Sequence, residues 1–132
     1  MKVRINIMAL AFIAYLMALG ALCFMRGDTM PDVSVVWWGI PADKVAHFLM
    51  FVPFTPLAYL TFRKKKSQFW KKGLLLTCLA AIGFALAYLT EIIQGRLKYR
   101  AYEVEDFHFD GYGLALGYLI VAIALLIKKS RK

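Results

Sequence analysis

The chain has 132 residues, 61% of them hydrophobic, with a formal net charge of +9 and a mean hydropathy of +0.62. Apolar runs fill nearly all of it, which excludes a soluble globular domain and leaves no room for a separate module. Nor is the positive charge a nucleic-acid footprint, because most of the Lys and Arg residues fall into three short segments that hold no Asp or Glu.

The first apolar run covers about residues 5–25, preceded by Lys2 and Arg4. It resembles a signal peptide only at its start. A secretory h-region is about 7–15 residues long, so the run is read as a retained span, with Asn6 as the one polar group at its start. The following loop carries Trp37 and Trp38 between Pro31 and Pro41, a pattern that suits anchoring at a membrane–water interface. The second span covers about 43–62. Asp43 is placed to cap a helix beginning at Lys44, and Pro53 and Pro56 predict a kink. Arg63, Lys64, Lys65, Lys66, Lys71 and Lys72 form a basic connection that reads as a membrane-surface anchor. The third span, about 73–94, is rich in Ala and Gly between Leu79 and Tyr88, which lets helix backbones approach closely. The fourth span, about 106–127, carries Gly113 and Gly117 four apart as a close-packing stripe, expected to meet the third span. Lys128, Lys129, Arg131 and Lys132 follow it. Cys23 and Cys78 lie near opposite ends of their spans, too far apart in depth for a disulfide, and are read as packing residues.

These spans predict an all-α membrane protein: one four-transmembrane-helix bundle over residues 1–132. The basic segments precede the first span, separate the second from the third, and follow the fourth. All eight acidic residues lie at the other side, with five basic residues among them. The positive-inside rule then predicts N-in/C-in topology, with both termini cytoplasmic and the acidic groups outside. A multi-pass membrane protein is expected, with lipid as its first partner and no nucleic acid. Oligomeric state is not legible.

Helix spacing brings the polar residues together. Asp43 and His47 are four apart at the outer end of the second span. Glu91 and Gln94 are three apart at the outer end of the third, and Asp106 and Asp110 are four apart on the fourth. Ionisable groups at membrane depth face a bundle interior or a watery cavity. Arg100, in the loop between, is the expected counter-charge. His108, beside Phe107 and Phe109, reads as an interfacial ring.

The ordered series Asp43-Lys44-x-x-His47, then Glu91-x-x-Gln94, Arg100, Glu103, Asp106, Asp110, Gly113 and Gly117 resembles the VanZ-like family of small bacterial membrane proteins. The resemblance covers residues 43–117, more than half the chain. That family usually has Asn where this chain has Asp110, and often Pro-Gly where this chain has Lys98-Tyr99. The resemblance implies a multi-span bacterial protein and a link to resistance to the glycopeptide antibiotic teicoplanin, but no reaction.

Three uses of the site stay open. It is a structural network; or it binds a cell-envelope component, lipid-linked or glycopeptide, through Asp43, Lys44, Gln94, Arg100, Glu103 and Asp110, with Tyr99, Tyr102 and Tyr112 at the mouth; or it is a hydrolase or transferase on a phosphorylated or lipid-linked substrate. In the last case His47, Glu91 and Asp106 are catalytic, and Glu91 with Asp106 would hold a hard divalent cation. No nucleophile elbow or zinc-ligand spacing is present. Recognition of an envelope molecule is the expectation carried forward.

Overall fold

A computed structural model of the chain describes residues 6–25, 36–98 and 103–131. Helix α1 (Ile7–Phe24) starts where Asn6 accepts the Met8 amide at 3.1 Å, an N-cap that satisfies one of the first turn's free donors. Apart from Leu19 and Cys23 its described side chains remain exposed or half-buried, as an apolar helix immersed in lipid requires. A two-residue ladder follows, β1 (Val36–Trp37) against β2 (Ile40–Pro41), antiparallel. Its turn is Trp38-Gly39, with φ of 51° and 81°. Gly39 adopts that region freely, whereas Trp38 adopts it under steric strain. Trp38 is fully exposed at the tip, where an indole can enter the membrane interface.

The second span is two helices, α2 (Ala42–Phe51) and α3 (Phe54–Phe62). The expected kink is a break at Val52-Pro53. Pro53 and Pro56 lack the N–H groups that the carbonyls of Leu49 and Val52 would otherwise receive. The expected capping by Asp43 is corrected: α2 already begins at Ala42, its N-cap position is Pro41, and no side chain caps it. Pro41 has its φ set for a helix start, so the helix begins earlier than Asp43 suggests. Asp43 lies in the first turn instead.

Helix α4 (Phe69–Arg96) is longer than the third apolar run, because Phe69, Trp70, Lys71 and Lys72 continue it as a basic turn. Helix α5 (Val104–Ser130) likewise extends beyond the fourth run at both ends. All four rods are long and apolar enough to cross a membrane. Their short connections make them antiparallel neighbours, so the start of α2, the end of α4 and the start of α5 share one end of the bundle, here termed the acidic end. Helix α5 packs mainly on α2 and α4. One core cluster joins Leu19, Phe51, Phe54, Ala87 and Leu114; a second joins Ala58, Tyr59, Leu76, Leu79 and Val121.

Gly113 and Gly117 do not make the contact expected of them. A Cβ on Gly113 would overlap the Phe48 carbonyl oxygen, and one on Gly117 would overlap the Val52 carbonyl oxygen. The stripe therefore seats α5 on the break between α2 and α3, and the carbonyl freed by Pro56 lies against Gly117. The Ala/Gly face of α4 does meet α5, through Gly83 against Leu114. Gly113→Ala is expected to destabilise by about 1–3 kcal/mol, since the obstacle is backbone and cannot rotate away. A Cβ on Gly20, inside α1, would meet nothing within 4 Å, so Gly20→Ala is expected not to destabilise and to gain up to about 1 kcal/mol. Reversible unfolding in mixed micelles measures both.

Candidate functional site

Lys44 and His47 are three apart on α2, so they share a face, and that face meets Asp106 and Asp110, four apart on α5. Lys44 is the organising cation. It is 4% exposed, and its ammonium donates to Glu103 Oε2, to Asp106 Oδ1 at 2.5 Å, and lies 3.3 Å from Asp43 Oδ2. The four-carbon stem is packed away while the head stays among carboxylates.

Asp106 bridges the two basic groups. Its Oδ1 accepts from Lys44, and its Oδ2 lies 3.3 Å from His47 Nε2. The other imidazole nitrogen, Nδ1, is 2.9 Å from Asp110 Oδ1. Asp110 is 1% exposed, so the His47 contact is central to satisfying it. His47 thus lies between two carboxylates of α5.

On α4, Glu91 is completely buried. Its Oε1 accepts the Glu103 backbone N–H at 2.7 Å, which fixes the start of α5. Its Oε2 has no hydrogen-bond partner among the described residues. Gln94 serves a different contact: its amide nitrogen donates to the Cys23 carbonyl at 2.6 Å and ties the ends of α4 and α1 together.

The expected counter-charge, Arg100, lies outside the described residues, as do Tyr99 and Tyr102. Lys44 fills that role among the described groups. Sequence reasoning places Lys44 in the site without showing that it is buried at its centre; the signal is its three-residue spacing from His47. His108 is exposed beside Phe107, with ring centroids 6.2 Å apart, as expected of an interfacial ring. Tyr112 is exposed and packs edge-on against Phe109 at 5.6 Å.

The carboxylates that could hold a cation are Asp43, Glu103 and Asp106, whose oxygens lie within 4.8 Å of one another. Glu91, expected to pair with Asp106, is not one of these three; its Oε1 accepts the Glu103 backbone N–H. The Lys44 ammonium already occupies the place among those three oxygens. Millimolar Mg²⁺ or Ca²⁺ is therefore expected to leave the thermal midpoint of the purified protein unchanged, and to raise it in Lys44→Ala, where the carboxylates lose their cation. A thermal scan in detergent, with and without each ion, measures this.

Exposure differs across the described site. The Asp43 and Glu103 side chains are 46% and 50% exposed, and that of Asp106 is 13%. Five carboxylates (Asp43, Glu91, Glu103, Asp106 and Asp110) surround one lysine and one histidine. The described site is thus a packed network with an acidic rim.

A family model described as VanZ/LLP1 matches residues 7–126 of the chain. No curated protein matches it, and no solved structure does.

Proposed function

The chain belongs to the VanZ-like family, the match covering nearly its whole length, and on that premise we propose that its acidic end faces outward from a bacterial plasma membrane and binds the polar part of an envelope molecule, lipid-linked or glycopeptide in class. Charge sorting supports the orientation. The opposite end carries Arg63, Lys64, Lys65, Lys66, Lys71, Lys72, Lys128 and Lys129 without an acid, and such segments stay cytoplasmic.

The surplus of carboxylate among the described residues supports the reading. A purely structural network would balance its charges, because buried unpaired acids cost stability. Among the described residues, Lys44 and His47 face five carboxylates, and Glu91 Oε2 lacks a donor. The rim favours ammonium, hydroxyl or amide donors on a ligand, which Asp43 and Glu103 are exposed enough to receive, with Asp106 just behind them. Lys44, His47 and Asp110 then act as positioning residues behind the rim.

The catalytic reading has one observation in its favour, the imidazole held by a carboxylate. Against it, each ring nitrogen of His47 already faces a carboxylate, so proton exchange with a substrate would have to pass through Asp106. Recognition asks for no such rearrangement.

A structure of the full chain purified with its native lipids tests the proposal. The expected result is an envelope molecule with a donor group within hydrogen-bond distance of Asp106 or Glu103. Retention of such molecules at undiminished level by an Asp106→Asn/Glu103→Gln variant would overturn it.

A further inference from the structure

The other end of the bundle holds cations that nothing in the neighbouring chain neutralises. No Asp or Glu occurs within residues 44–90 or 111–132. Yet the end of α3, the start of α4 and the end of α5 bring lysines into two adjoining recesses of about 150 and 200 Å³, which share Ser67 and Lys72. Lys128 and Lys129 line the first, Lys64 and Lys71 the second. Lys129 is held in place, its ammonium 4.6 Å from the centre of the Phe69 ring, which links the last turn of α5 to the first turn of α4.

Like charges gathered in a recess repel one another, and an anion from outside relieves that repulsion. The walls narrow that anion's identity. Phe69 and Leu125 back the first recess, Phe62 and Leu75 the second, and all four belong to membrane-spanning helices. A ligand here has a phosphate-sized charged head and an apolar continuation along the helices. Each recess is smaller than the roughly 300 Å³ at which drug-sized pockets begin, which suits a headgroup. Basic clefts between spans near the membrane surface bind lipid phosphates on these terms.

We propose that the paired recesses are a binding site for the phosphate headgroup of an anionic membrane phospholipid, with Lys72 and Ser67 common to both halves and Lys129 positioned by Phe69. The site is independent of the acidic end and of which side of the membrane each end faces.

The test compares retention of phosphatidylglycerol and phosphatidylcholine by the full-length protein, measured by native mass spectrometry from mixed micelles at equal lipid concentrations. Wild type is expected to retain phosphatidylglycerol preferentially. Lys72→Gln/Lys129→Gln is expected to lose that preference by roughly ten- to thirtyfold, given about three- to fivefold per lysine. Lys65→Gln/Lys66→Gln removes the same charge from outside the recesses and should retain the wild-type preference. Equal losses from the two pairs would show diffuse attraction and overturn the site. So would wild-type retention of both lipids alike, or release of phosphatidylglycerol by millimolar inorganic phosphate. Unchanged thermal midpoints in phosphatidylcholine confirm that the variants fold.

Discussion

Lys44→Met is expected to destabilise the protein by about 3–5 kcal/mol, the cost of removing one partner from a buried ion pair. The methionine replaces the stem closely in volume, so packing loss contributes little. What is lost is the only lysine among Asp43, Glu103 and Asp106 in the described site. Asp43 and Glu103 are about half exposed, and water screens their share. Most of the effect arises at Asp106, which is 13% exposed and also serves His47. Lys65→Met removes the same group from an exposed position and should change stability by less than about 0.5 kcal/mol. Equal, small losses at both positions would mean that Lys44 is a solvated residue rather than the centre of the acidic end.

His47→Leu is expected to cost about 2–3 kcal/mol by leaving Asp110 buried without its imidazole partner. The double variant His47→Leu/Asp110→Leu should recover most of that loss, because replacing both partners removes the unsatisfied carboxylate along with the ring. A double-mutant cycle read by reversible unfolding in mixed micelles gives the coupling directly. Additive losses would show that the two side chains do not depend on one another. Both variants are also expected to weaken envelope-ligand retention, because Asp106 is then held by Lys44 alone.

Much of this architecture is legible in the sequence because a bilayer permits few alternatives. The four spans follow from runs of about 20 apolar residues, and the meeting of Asp43, His47, Glu91, Asp106 and Asp110 at one end follows from antiparallel rods. Helix periodicity says which residues share a face but not which helix that face meets. Gly113 and Gly117 illustrate the limit. Their stripe is evident in the sequence, but its partner is α2–α3, where prolines free backbone carbonyls that a Cβ would obstruct. Lys44 illustrates another. A lysine beside Asp43 at a helix start looks solvated, and its burial arises only when α5 delivers Glu103 and Asp106 from about sixty residues away. Gln94 groups with the site by its spacing from Glu91, yet its donor reaches the Cys23 carbonyl on α1. Spacing cannot distinguish a group that lines a site from one that fastens the next helix.

The central claim is that the acidic rim lies outside the cell. Single cysteines at Glu105 and Ser130, both exposed positions at opposite ends of α5, report it directly in a Cys78→Ala background that leaves buried Cys23 in place. With a membrane-impermeant maleimide on intact cells, Glu105→Cys should react and Ser130→Cys should react only after lysis. Labelling of Ser130→Cys in intact cells, with Glu105→Cys protected, would contradict the account.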